Sequence, residues 1–215
     1  MRIPLHPAGW PFIGLFLAVN LLLVPVSYWA AAAFAPLTLW CVAFFRDPER
    51  QTPQGENLVI SPADGRLLPL VHAAPPPELG MGPEPRLRLS IFMNVFNVHV
   101  NRNPVTGTVV KLAYRKGRFF NASFDKASEH NERMSIRVRL DRPAGELAVV
   151  QIAGLVARRI RCDLSEGEPV LRGARFGIIR FGSRLDVYLP AGAQVLATSG
   201  QHVRAGETVL AKLQG

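Results

Sequence analysis

The chain has 215 residues, with 25 Lys+Arg against 16 Asp+Glu for a formal charge of +9, and it is 48% hydrophobic and 19% charged. This balance excludes a disordered tail or a highly charged nucleic-acid arm, and the length suits one domain of catalytic size. Two cysteines, Cys41 and Cys162, cannot build a disulfide framework or a thiolate zinc site, and five dispersed histidines offer no metal-ligand spacing.

No Asp, Glu, Lys or Arg occurs between His6 and Arg46, and Trp10 to Phe45 is almost wholly apolar. One straight helix of that length would run about 54 Å, well beyond the ~30 Å hydrocarbon core of a bilayer. Two apolar helices, Trp10 to Val24 and Val26 to Phe45, fit better, with Pro25 and Ser27 at the bend. Arg2 precedes this segment, and Arg46 and Arg50 follow it. Basic flanks stay cytoplasmic, which predicts a membrane-anchoring hairpin or a pair of shallowly inserted helices over residues 1–45. A single tilted span with an interfacial first helix is the alternative.

Residues 46–215 read as a second, mainly β domain, a β-rich α+β fold. Met134, Ile136, Val138 and Leu140 alternate with Ser135, Arg137 and Arg139, the period of a half-buried strand. Shorter apolar runs predict strands at Asn57–Ile60, Arg66–Val71, Arg86–Phe92, Gly107–Leu112, Glu146–Ile152 and Asp186–Leu189. Turn residues separate them, as in Ala63-Asp64-Gly65 and Pro143-Ala144-Gly145. Helical spacing occurs only around Ser123–His130, and the proline-rich stretch Val71–Pro85 reads as a surface loop. The tail from Val187 to Lys212 predicts two short strand pairs around Gly192 and Gly206, like the hammerhead element of a biotinyl or lipoyl carrier. Its candidate hairpin tip, Thr198-Ser199-Gly200, has no lysine to carry a swinging arm.

Three residue types point to chemistry. Gly182-Ser183 places a hydroxyl beside a carbonyl at a residue free to take unusual dihedrals, so Ser183 can attack the Gly182 carbonyl if the fold strains that turn. Asp64 in a tight turn and His99 among apolar neighbours complete the roles of orienter, base and nucleophile. Taken singly, Asp64 reads more readily as a turn residue, His99 as a core histidine and Gly-Ser, above all, as an ordinary turn.

Several motifs in order resemble the phosphatidylserine decarboxylases, in their short, archaeal-like bacterial branch. They are Phe45-Arg46-Asp47-Pro48, Ser61-Pro62-Ala63-Asp64-Gly65, Asn97-Val98-His99-Val100-Asn101-Arg102, Asn131-Glu132-Arg133, Gln151-Ile152-Ala153-Gly154, Phe181-Gly182-Ser183-Arg184 and Ala205-Gly206-Glu207-Thr208. The resemblance implies a proenzyme that cuts itself between Gly182 and Ser183, giving fragments 1–182 and 183–215. Ser183 would become an N-terminal pyruvoyl group, a covalent cofactor that replaces pyridoxal phosphate, with no metal. That group would form a Schiff base with phosphatidylserine and release phosphatidylethanolamine, as in phospholipid biosynthesis. Asn97, Arg102, Arg133 and Gln151 are the implied substrate-binding positions. Longer bacterial relatives carry two histidines where this chain has His99 and then Arg102, so His99 serves cleavage, decarboxylation or both.

The implied partners are an anionic phospholipid, the membrane and the chain's own two fragments, and a homo-oligomer is compatible with them. The inner membrane is the expected location, with the catalytic domain facing the cytoplasm. Residues 46–215 carry 24 cations against 16 anions, a charge of +8 that suits an anionic surface. Arg115, Lys116, Arg118, Phe119 and Phe120 form a candidate interfacial loop, and Arg158, Arg159 and Arg161 a second basic cluster. No recognition helix or zinc spacing accompanies the charge, so nucleic acid is not an expected partner. A serine hydrolase built on Ser183, His99 and Asp64 and a non-catalytic, membrane-tethered biotinyl-like adaptor are the alternative functions.

Overall fold

The computed structural model describes residues 4–117, 130–154, 159–180 and 182–214. The chain divides into two units, Met1–Glu49 and Arg50–Gly215.

The first unit is a helical hairpin. A 3-10 turn at Pro7–Gly9 leads into α1 (Trp10–Leu23), and α2 covers Tyr28–Phe44. Pro25 falls in the connection, and the Ser27 hydroxyl caps α2 by accepting the Ala30 amide at 3.3 Å. The Asn20 side chain donates to the Ala31 carbonyl at 3.1 Å and ties the helices together. Helices of 14 and 17 residues measure about 21 and 26 Å. Among the described residues no helix is long and apolar enough to cross a membrane, so the tilted single span has no counterpart here. The turn between the helices is apolar yet exposed: Val26 is 79% and Trp29 80% accessible, and Leu21, Leu22 and Tyr28 are nearly as open.

The second unit is β-rich. Its strands are β1 (Leu58–Ile60), β2 (Gly65–Leu67), β3 (Val71–Ala73), β4 (Arg86–Met93), β5 (Val100–Arg102), β6 (Gly107–Arg115), β7 (Arg133–Leu140) and β8 (Glu146–Ala153). They continue with β9 (Ile160–Cys162), β10 (Pro169–Val170), β11 (Arg175–Ile179), β12 (Ser183–Tyr188), β13 (Gln194–Val195), β14 (His202–Val203) and β15 (Val209–Lys212). The main sheet runs β10-β6-β7-β8-β12-β4-β2-β14, with β3 also on β4, and two three-stranded sheets run β1-β15-β13 and β5-β11-β9. Every pairing is antiparallel.

The alternating runs become strands as expected, but the main sheet has two buried faces. Ile91, Met93, Ile136, Val138, Val149, Leu185 and Val187 line the large core on one face. Ala148, Val150, Ile152 and Tyr188 form a smaller cluster on the other, covered by Leu79. Leu79 belongs to a 3-10 turn at Pro77–Leu79, so Val71–Pro85 is more than a surface loop: it contributes a strand and a lid. In the tail only β13 and β15 pair with each other. β14 joins β2, and β12 enters the main sheet. The helix expected over 123–130 lies, except for its last residue, outside the described residues, as do Arg118, Phe119, Phe120 and Arg158.

Candidate active site

β12 lies between β4 and β8, and its first residue, Ser183, stands opposite Met93 and Ala153. Opposed residues on antiparallel strands project to the same face, so Ser183 points into the large core beside Met93. Its hydroxyl is fully buried and reaches the Met93 thioether at 3.9 Å. Gly182 has φ +66°, a left-handed conformation that costs an L-residue about 1–2 kcal/mol and glycine almost nothing. Gly182 thus takes a conformation open to glycine immediately before Ser183 enters β12.

His99 is fully buried two residues beyond the Asn94–Asn97 turn that follows β4. Asn94 caps this turn by accepting the Phe96 amide at 2.8 Å, while the Asn97 side chain accepts the Asn94 amide at 2.8 Å. The Asn97 carbonyl lies 3.0 Å from His99 Nδ1. A carbonyl only accepts, so Nδ1 carries the proton and Nε2 is the basic nitrogen of the neutral ring. The His99 carbonyl accepts the Ile179 amide at 3.4 Å. Segment 93–99 is thus fastened at both ends beside the Gly182–Ser183 peptide, to Ser183 through Met93 and to Ile179 just upstream.

Asp64 lies elsewhere in the network. One oxygen accepts Arg50 Nη2 at 2.8 Å and the other the Ala205 amide at 2.7 Å, with neither bonded to His99 or Ser183. Around it, Gly206 donates its amide to the Ser61 carbonyl and Ser61 donates its own to Thr208, both at 2.8 Å. The Ser61–Gly65 turn and the Ala205–Thr208 loop, two motifs far apart in sequence, are therefore one structural unit.

The four implied substrate residues separate into two groups. Gln151 is fully buried on the Ser183 side of β8, where Nε2 donates to Asn101 Oδ1 at 2.8 Å. Asn97 forms the turn described above. Arg102 is buried and donates to the Gly173 carbonyl at 3.0 Å. Arg133 opposes Ile152, one residue from Ala153, and so projects from the sheet face opposite Ser183. There its Nε and Nη2 grip the Glu78 carboxylate at 2.6 and 2.8 Å, and Ser135 adds a third bond at 3.0 Å. Burial disfavours the charged Glu78, but the Arg133 bonds and charge prevail and hold its carboxyl below the usual range.

Several residues that escaped sequence reasoning stand close to Ser183. Asn101 Nδ2 shares the Met93 sulfur with the Ser183 hydroxyl. Behind the strand, Arg184 clamps Asp186 through Nε and Nη2 at 2.6 and 2.8 Å, with both side chains almost wholly inaccessible. Arg88 adds a longer contact to Asp186 at 3.8 Å. An Arg-x-Asp pair on one strand reads as a solvent-facing alternation, and only a covered second face makes it interior. Among the described residues, no group of three His, Cys, Asp or Glu side chains could hold a metal ion. A cavity of about 330 Å3 lined by Asn57, Thr106, Asp141 and Arg172 includes none of the candidate catalytic residues.

Residues 37–211 match the family model for phosphatidylserine decarboxylase. The chain belongs to the phosphatidylserine decarboxylase family. It is 58% identical over 211 residues to the phosphatidylserine decarboxylase proenzyme of Paramagnetospirillum magneticum, spanning 98% of this chain and 87% of that protein. It is 55% identical over 210 residues to the corresponding proenzyme of Cereibacter sphaeroides, spanning 98% of this chain and 90% of that one. The match to the family extends across β1 to β15 and so includes every motif of the β-rich unit quoted above.

Proposed function

We propose that this protein is a self-processing decarboxylase of phosphatidylserine that forms phosphatidylethanolamine. Its kinship with proenzymes of that name over nearly the whole chain carries the proposal, and the left-handed Gly182 next to a buried Ser183 supports it independently. Cleavage between these residues yields fragments 1–182 and 183–215, with a pyruvoyl group derived from Ser183. The site suits a small keto group: its position is dry, rigidly held between two strands and faced by Met93 and the Asn101 amide. When present, that group accepts the electron pair released as carbon dioxide departs.

The chain's own residues supply the rest. Ser183 is the nucleophile of self-cleavage. His99, with Nδ1 fixed by the Asn97 carbonyl, offers Nε2 to accept and return a proton in cleavage, decarboxylation or both. Asp64 holds the turn that abuts the Ala205–Thr208 loop, and acting directly on His99 would require it to leave Arg50 and Ala205. Gln151 borders the reacting side, with Asn97 setting the His99 turn, while Arg102 is held at the Gly173 carbonyl beside Gly206. Arg133 acts from behind the sheet.

The hairpin of residues 1–45 is the membrane contact, embedded through its exposed Leu21–Trp29 tip without spanning. This assignment places the β-rich unit, residues 46–215, at the cytoplasmic face of the inner membrane, where its charge of +8 favours anionic lipid.

Mass spectrometry of purified protein tests the central claim. Two fragments are expected, the smaller beginning with a keto group in place of the Ser183 amine. Ser183→Ala should remain one full-length, inactive chain, and cleavage of that variant would remove Ser183 from the mechanism.

A further inference from the structure

Three buried side chains, Gln151, Asn101 and Met93, connect the β9 backbone to the Ser183 hydroxyl, and elementary hydrogen-bond chemistry orients the two amides. The Arg161 carbonyl can only accept, and Gln151 Nε2 lies 3.5 Å from it. The same nitrogen donates to Asn101 Oδ1 at 2.8 Å. With its oxygen so assigned, Asn101 presents its NH2 group to Met93 Sδ at 3.9 Å, and a thioether also only accepts. Both ends of the relay therefore specify the same amide orientations. Asn101, Gln151, Met93 and Ser183 are all fully buried.

The relay ends on a mismatch. A carboxamide N–H in a dry interior ordinarily secures an oxygen, yet among the described residues Asn101 Nδ2 has only this sulfur, a weak acceptor. The Ser183 hydroxyl uses the same sulfur. The shared Met93 sulfur keeps the donor near Ser183, and Asn101 opposes Gly177 on β11, the strand that precedes Gly182 in the chain. A side chain at position 177 would strike the Arg161 carbonyl, so glycine there admits the group that begins the relay.

We propose that Asn101, oriented by Gln151, is the side-chain donor for the negative charge that develops on the Gly182 carbonyl oxygen during self-cleavage. The inference rests on the self-processing function proposed above. As the Ser183 oxygen bonds to the Gly182 carbonyl carbon, its proton passes to the base and the carbonyl oxygen gains the charge. Asn101 Nδ2 exchanges its sulfur contact for that oxygen. The carbon–nitrogen bond then breaks, the nitrogen takes the proton, and an ester links Gly182 to the Ser183 side chain. Atoms and charge balance without a co-reactant. A donor held in place before the reaction requires little reorganisation during it, which is the advantage of parking it on a weak acceptor.

The test follows processing of freshly synthesised full-length chain, with Ser183→Ala alongside. Asn101→Ala should slow the appearance of fragments about 100- to 1,000-fold, the usual effect of losing one oxyanion donor. Its precursor should also resist hydroxylamine, because attack is impaired before an ester forms. Asn101→Asp keeps the size while replacing the donor with an acceptor, and it should be equally slow. It decides the matter if the alanine variant does not fold. Wild-type processing by either folded variant while Ser183→Ala stays intact would overturn the proposal. So would accumulation of a hydroxylamine-sensitive ester. Fragments from Ser183→Ala would refute self-cleavage at Ser183 itself, a distinguishable failure.

Discussion

Asp64 and Ala205 are joined across the proposed cleavage point, the carboxylate of one accepting the backbone amide of the other at 2.7 Å. On that proposal Asp64 would belong to the fragment that ends at Gly182, and Ala205 to the fragment that begins at Ser183. Arg50 extends the bond, lying 2.8 Å from Asp64 and 3.6 Å from Glu207. Asp64→Ala should thus weaken cohesion of the processed protein by about 1–3 kcal/mol, the cost of leaving buried partners unsatisfied. Urea denaturation of the two-fragment form checks this through a lower midpoint. A wild-type midpoint would show that the carboxylate does not hold this seam.

The Glu78–Arg133 pair predicts a pH dependence with a definite sign. The folded protein holds the Glu78 carboxyl below its usual range, so its contribution is present above the unfolded value of about 4.3. That contribution is lost as pH falls through the lower, folded value. Glu78→Gln should therefore be less stable than the wild type at pH 7, with the difference shrinking on acidification. Thermal denaturation at pH 7 and pH 3 provides the measurement, and an equal difference at both would exclude the linkage.

Arg184 and Asp186 predict non-additivity. Removing Arg184 leaves the fully buried Asp186 carboxylate with only weaker compensation, including the longer Arg88 contact at 3.8 Å, a change of up to about 3–5 kcal/mol in such settings, whereas removing both charges of the close pair costs less. Arg184→Met should yield little folded protein, and adding Asp186→Leu should restore much of it. Equal losses from the single and double variants, measured by denaturant unfolding, would contradict this account.

Gly182 is a cleaner case, because a side chain there would meet no atom of the described residues within 4 Å. Its constraint is the backbone alone. Gly182→Ala should fold, lose about 1–2 kcal/mol, and process more slowly as the turn relaxes from positive φ. Comparing calorimetry with the rate of fragment formation separates the two effects. Unchanged values of both would deny the left-handed turn a role.

The long strands were legible because their apolar residues alternate over six or more positions, as in Met134–Leu140. Strands β5, β9 and β11 were not: they are short, carry charged or glycine residues, and are stabilised by one another. Burial of the second sheet face was hidden for a related reason. Arg133, Ser135, Arg184 and Asp186 look solvent-facing until Pro77–Leu79 folds over their side of the sheet. At the site, Gly182, Ser183 and His99 stand in recognisable motifs. The Asn101–Gln151 bond joins residues 50 positions apart on different sheets, and the Asp64–Ala205 bond uses a backbone amide, which no residue identity reveals.

The central place of β12 has a consequence for the working life of the proposed enzyme. Its new chain end would be created in the interior of the main sheet, hemmed by β4 and β8, with β14 and β15 of the same fragment laced into β2 and β1. Unlike a diffusible coenzyme, a prosthetic group born there could be neither exchanged nor replenished. Each molecule would make its electron acceptor once, and chemical damage to that group would retire the polypeptide with it.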